Sequence, residues 1–150
     1  MKKARSIGRL TSCIHRFTTS HIHNELEKYN IGSGQTLFLM RLYHGDGINQ
    51  ESLARDLKTD KATSTRAIKK LERAGYVRRE IDDADKRAYK IYLTEKAEKM
   101  RPVVRGILKD WTNHLLTGFS EGEKEKLFDF LERIVENAVA KRQPRSDGHG

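Results

Sequence analysis

The chain has 150 residues, with 30 Lys and Arg against 21 Asp and Glu and a formal charge of +9; its isoelectric point is about 9.7. That length suits one domain, and a charge of that sign attracts polyanions. The lack of a long apolar run and of a signal-peptide pattern argues against a membrane protein. The single cysteine, Cys13, excludes an internal disulfide and fits a reducing cytoplasm.

Ile7, Leu10, Ile14, Phe17, His21 or Ile22, Leu26 and Tyr29 follow helical spacing and predict a long first helix over about 5–30. Ser33 is the expected cap of a second helix, with Leu37, Met40 and Leu42 among its core positions. Asn49 is an N-cap candidate for a short helix whose apolar stripe is Leu53, Ala54 and Leu57. Lys58 and Thr59 form a turn. Asp60 is then placed to cap a further helix, where its charge suits the positive end of the helix dipole. Ser64, Ala67, Ile68 and Leu71 mark the buried side of that helix, and Gly75 sits where a helix end needs positive φ. Tyr76-Val77 and Tyr89–Leu93 read as strands. The segment between them, Asp82–Arg87, is expected to be too polar for burial.

Thr94 to about Thr117 reads as a long helix despite Pro102, with a kink expected near Glu98–Pro102. Ser120 and Glu123 form a capping box for a last helix carrying Leu127, Phe130, Leu131, Ile134, Ala138 and Val139. The polar residues 141–150 are expected to be a disordered tail. The first and last helices carry more apolar surface than a compact winged core covers, so a homodimer packed through long terminal helices is expected.

The helix after Asp60 carries Lys61, Arg66, Lys69, Lys70 and Arg73 against a single acid, Glu72. A basic helix on a helix-turn-helix, followed by a basic-tipped wing at Lys86 and Arg87, is suited to double-stranded DNA. The small side chains of Ala62, Thr63 and Thr65 allow close approach to base edges, and Arg66 lies where guanine can be read. Lys69, Lys70 and Arg73 are expected to be split between phosphates and solvent. Arg87 is expected to reach a minor groove, with its stem held by Asp82, Asp83 or Asp85.

At LARDLKTDKATSTRAIKKLERAGYVRRE (Leu53–Glu80) and DDADKRAYKIYLTEKA (Asp82–Ala97) the chain resembles the MarR (multiple antibiotic resistance regulator) family of winged helix-turn-helix regulators. The family's wing pattern, Asp-x-Arg-Asp-x-Arg running into a strand that ends Leu-Thr, is matched at Asp82, Asp85, Arg87, Leu93 and Thr94. Ala84 stands where an arginine is common. The resemblance spans all but about the last ten residues. It implies a mainly α (α+β) fold in one domain over about 1–140. The winged part would cover about 33–93, with dimerisation helices over about 5–30 and 94–140. It also implies a cytoplasmic homodimeric repressor of a palindromic operator. Release would come from a phenolic or aromatic carboxylate in the cleft between the DNA-binding lobe and the dimer helices. Arg16, Arg41 and Trp111 are the candidate lining residues.

Cys13 has two readings: a small buried residue, or a redox sensor, as in the peroxide-sensing branch of that family. His21 and His23 point about 200° apart on a helix, and no metal site is expected. No cofactor fingerprint, nucleophile elbow or P-loop occurs, so an enzyme is not expected. A sequence-tolerant DNA-coating protein and a protein–protein interaction module are the remaining alternatives.

Overall fold

The computed structural model describes residues 4–141. Its contacts separate two compact units, divided between Trp111 and Thr112. In the first unit, α1 (Ile7–Glu27) starts at Ser6, whose hydroxyl accepts the Arg9 N–H at 3.3 Å. Only its C-terminal half buries side chains, Ile22 and Leu26. Ile7, Leu10, Ile14 and Phe17 stay exposed, Phe17 by 64%.

The second helix, α2, spans Ser33–Tyr43 and is capped one residue earlier than expected. Gly32, not Ser33, is the N-cap. Its N–H donates to Gln35 Oε1 at 2.9 Å, the half of a capping box that the N3 side chain supplies and that needs no side chain on the cap itself. Leu37 is also not a core residue. It is 50% exposed, while Phe38, Leu39 and Leu42 are buried and Met40 packs at the margin. The buried stripe is therefore i, i+1, i+4 from Phe38.

A two-residue strand, β1 (Ile48–Asn49), leads into α3 (Gln50–Asp56). Asn49 caps α3 as expected, accepting from the Glu51 and Ser52 N–H groups. Lys58 turns the chain at φ +53. Asp60 then caps α4 (Lys61–Arg73), accepting the Thr63 N–H at 2.7 Å. Gly75 ends α4 at φ +83.

Strands β2 (Val77–Ile81) and β3 (Tyr89–Leu93) form an antiparallel ribbon, Val77 opposite Leu93 and Ile81 opposite Tyr89. β1 adds a third strand at the ribbon's base, with Ile48 opposite Ile91 and Asn49 opposite Lys90. A two-residue strand has no alternation to read, so the sequence pattern missed it. Thr94 then joins wing to helix. Its hydroxyl donates to the Gly75 carbonyl at 2.5 Å and accepts the Ala97 N–H at 3.3 Å.

The next helix, α5, runs over Glu95–Leu115 with Pro102 inside it, on its exposed side. Ala97, Met100 and Val104 of α5 complete one core with Leu26, Ile31, Phe38, Leu42, Leu53, Ile68, Leu71, Tyr76 and Ile91. Each large apolar side chain so buried contributes about 1.5–3 kcal/mol. The phenols of Tyr76 and Tyr43 find acceptors in or beside this core. Tyr76 Oη donates to the Tyr29 carbonyl at 2.5 Å, and Tyr43 Oη to the Ala97 carbonyl at 2.6 Å. Burial pushes the Tyr43 phenol up to about 12.

In the second unit Leu116 is buried and Gly118 turns the chain at φ +85. Ser120 and Glu123 form the expected capping box for α6 (Glu121–Ala140), at 3.2 and 3.1 Å. No α6 residue is buried. Phe130 is 54% exposed and Val139 64%. Lys141 is the C-cap, and the rest of the expected tail lies outside the described residues.

Candidate nucleic-acid interface

The α4 helix presents its two faces by charge. Ser64, Ala67, Ile68 and Leu71 pack inward. Lys61, Ala62, Arg66, Lys69, Lys70 and Arg73 are exposed, with Thr63 and Thr65 half-buried at the margin. The helix's one acid does not neutralise this face. Both Glu72 oxygens are taken by Arg79 of β2, with Nε at 2.9 Å and Nη2 at 3.2 Å. That pairing raises the Arg79 guanidinium further above its ordinary value, chiefly through the hydrogen bond. Among the described residues Lys61, Lys69, Lys70 and Arg73 have no acidic partner. Arg66 makes a long contact to the Thr63 hydroxyl, 3.4 Å, and helps hold the Asp60 carboxylate charged without a direct ion pair.

The N-terminal turn of α4 is held firmly. The backbone and side-chain hydrogen bonds from Thr63 hold the Asp60 carboxyl below the usual carboxylate range. Thr65 accepts a hydrogen bond from Gln50 Nε2 of α3 at 3.2 Å. The C-terminal turn is met by Lys96, whose ammonium donates to the Ala74 carbonyl at 2.6 Å and so offsets the negative helix end.

The wing tip departs from expectation at one residue. Asp83–Arg87 are exposed, but Asp82 is buried, 6% exposed. A carboxylate can be buried where hydrogen-bond donors replace its water. Asn49 Nδ2 donates to one oxygen at 3.0 Å and the Ala84 N–H to the other at 3.0 Å. Led by the Asn49 bond, these hold the Asp82 carboxyl below its ordinary range. The partner of Arg87 is therefore Asp85, at 3.7 Å from Nε, and not Asp82. The Arg87 side chain is 94% exposed. Lys86 beside it is exposed too. Between α3, α4 and the wing lies an open cleft of about 520 Å³, with Lys61, Lys69, Arg79, Arg87 and Tyr89 on its walls. The Ser64 hydroxyl, also on that wall, is buried without a hydrogen-bond partner.

The three residues expected to line a ligand cleft stand in different settings. Arg16 is exposed on α1. Arg41 is committed, with Nη2 3.0 Å from Asp56 and Nη1 3.1 Å from the Gly45 carbonyl. Trp111 stacks on His21 at 4.4 Å and donates to the Thr18 hydroxyl at 2.8 Å. Cys13 is half-buried on α1. Among the described residues no cluster of His, Cys, Asp and Glu is placed to hold a metal ion. No described helix is long and apolar enough to cross a membrane.

The sequence reading missed Gln50, Arg79 and the second role of Asn49. The available signal was adjacency, since Asn49 and Gln50 fall at a helix start that also borders the reading helix.

A family model described as MarR family matches residues 31–89. The chain is 38% identical over 113 residues to the Uncharacterized HTH-type transcriptional regulator YybA of Bacillus subtilis, covering 75% of each chain. The crystal structure of a MarR transcriptional regulator from Methanosarcina mazei Go1 is 43% identical, with a TM-score of 0.82, covering 91% of this chain and 98% of that one. A putative MarR family regulator from Listeria monocytogenes, solved complexed with 26mer DNA, is 31% identical with a TM-score of 0.74 and coverages of 95% and 99%.

Proposed function

The chain belongs to the MarR family of helix-turn-helix transcriptional regulators, and from that premise we propose that it binds a palindromic operator as a homodimer, represses transcription there, and is released by a small aromatic anion. The observation that carries the DNA reading is the exposed face of α4. Its five cations lie on one surface, and its only acid is neutralised by Arg79. In this reading α4 enters the major groove. Ala62, Thr63 and Thr65 allow close approach, Arg66 reads a base edge, and Lys61, Lys69, Lys70 and Arg73 meet phosphates. Lys86 and the extended Arg87 reach from the wing toward a minor groove. The similar Listeria protein solved with DNA supports the assignment.

The test is selection of bound duplexes from a random pool. The expected result is a palindrome with half-site centres about one helical turn apart, 10–10.5 base pairs. Equal recovery of all sequences would instead identify a DNA-coating protein.

For release, Arg41 is already balanced by Asp56, so Arg16 is the cation proposed to meet an anionic guest, with Trp111 as aromatic surface. A guest acts only through its different affinities for the free and DNA-bound states. It must therefore bind more weakly in the presence of operator by the factor it weakens DNA binding. Titration with salicylate-like acids should release wild type at lower concentration than Arg16→Ala, with ligand-free DNA affinity nearly unchanged. Identical release curves would remove Arg16 from the site.

A further inference from the structure

We infer that Asn49 is the residue that positions the wing against the reading helix, acting through the buried carboxylate of Asp82. The inference rests on the proposed DNA-binding role for its consequence, though not for its geometry.

Asn49 sits where three elements meet. It is the last residue of β1, opposite Lys90 of β3. Its Oδ1 caps α3 through the Glu51 and Ser52 N–H groups, at 2.9 and 3.4 Å. Its Nδ2 donates to Asp82 Oδ2 at 3.0 Å. The other Asp82 oxygen accepts the Ala84 N–H, and the Asp82 N–H donates to the Ala88 carbonyl, which closes the base of the tip. One buried carboxylate thus ties the tip's turn to the start of α3. The next residue, Gln50, reaches Thr65 on α4. Two adjacent side chains therefore hold the two proposed DNA-contacting parts, one each.

Geometry makes this tie matter. β1 pairs with β3 only at Ile91 and Lys90, so the ribbon beyond Lys90 has no third strand beside it. A two-stranded ribbon bends and twists readily. Asp82 makes no direct ion pair among the described residues; Lys90 acts on it only at longer range, and the Asn49 amide is the leading group that holds it.

The pair also allows an exchange of roles. Asn49→Asp keeps a capping oxygen for α3 but sets two carboxylates against each other. Adding Asp82→Asn restores the bond in the opposite direction. Asn at 82 would donate to Asp at 49 and still accept the Ala84 N–H, while Asp at 49 still caps α3.

The experiment has two readouts on Asn49→Asp and on the Asn49→Asp/Asp82→Asn exchange. The first is amide hydrogen exchange at Asp82 and Ala84, which needs no DNA. It should quicken about tenfold in the single variant and return to within about twofold of wild type in the exchanged pair. The second is affinity for a labelled palindromic duplex recovered from the random pool. Arg87→Ala should weaken wild-type binding on the order of three- to tenfold, but less than about twofold in the Asn49→Asp background. Arg66→Ala should cost the same in both backgrounds, which a general loss of folding would not reproduce. If Asn49→Asp fails to fold, Asp82→Asn alone replaces it, since it leaves the α3 cap intact and loses one of the two donors' acceptors. Undiminished Arg87→Ala loss in the detached-wing background, or unchanged amide exchange, overturns the inference. If wild type binds no duplex, the proposed function falls, and the exchange rates alone decide whether Asn49 positions the wing.

Discussion

Arg66 and Lys70 lie one helical turn apart on the same exposed face of α4, yet the expected roles differ. Arg66 is in the second turn, above the small side chains of Ala62 and Thr63, where a guanidinium can reach a base edge. Arg66→Ala should cost about 1–3 kcal/mol and relax the preference at one position per half-site. Lys70→Ala should weaken all duplexes alike and reduce the slope of log affinity against log salt by about one per bound subunit. Equal losses on specific and random duplexes for Arg66→Ala would assign it to phosphate. Acid sensitivity also belongs to single residues. Asp60, held by Thr63, Asp82, held by Asn49, and Glu98, held by Arg101, all have carboxyls below their ordinary range. Glu123, held by the Ser120 N–H, joins them. A depressed folded value means that the unfolded chain takes up protons first. The stabilisation is therefore complete above about pH 4–5 and is lost as pH falls through the lower folded values. Asp60→Asn keeps the cap without the charge, so its urea midpoint should fall less steeply over that range.

At the scale of elements, α4 depends on tertiary burial more than on its own propensity. Thirteen residues make a marginal helix in isolation. Ile68 and Leu71, each 1% exposed, anchor it against α2 and the strands. Leu71→Ala should destabilise the protein by roughly 2–5 kcal/mol, read as a lowered urea midpoint at unchanged slope. DNA affinity extrapolated to fully folded protein should stay the same, because Leu71 faces away from the cations. A loss of affinity in fully folded Leu71→Ala would mean that the reading face itself had shifted. The wing behaves differently. Its outer strand β2 exposes Arg78 and Glu80, which pair with each other, and charges of this kind discourage strand addition at an open edge.

At the scale of the molecule, two helices leave apolar surface in water. Ile7, Leu10, Ile14 and Phe17 line one face of α1, while Leu131, Ile134, Val135 and Val139 lie on α6. Such faces mark association surfaces, and a second copy is the proposed occupant of both, in an isologous dimer. Ile134→Glu should therefore give a monomer in sedimentation at micromolar concentration. Because one duplex then engages a single reading helix, palindrome affinity should fall on the order of a hundredfold or more. A stable dimer in that variant, or a monomer with undiminished affinity, would count against the assembly.

Short-range chemistry was legible in the residues themselves. Asn49, Asp60 and Ser120 cap their helices because each carries an oxygen within reach of its own backbone, and Gly75 takes the positive φ that ends α4. The resemblance carried by Leu53–Glu80 and Asp82–Ala97 added the family. The sequence did not disclose which charges cancel. Glu72 sits among lysines and arginines on α4 but is taken by Arg79, seven residues on in a strand. Arg41 is balanced by Asp56, and Asp82 is drawn out of water by an amide 33 residues earlier. Those pairings depend on where the chain returns in space, and no local period encodes that return. The strand β1 was missed for the same reason, since two residues become a strand only when β3 lies beside them. The sequence by itself determined the caps at Asn49, Asp60 and Ser120, the basic face and the family, while the α2 cap fell on Gly32 and not on Ser33. The tertiary structure alone decided which cations on that face stay unbalanced, because neutralisation is a matter of distance between side chains and not of their order.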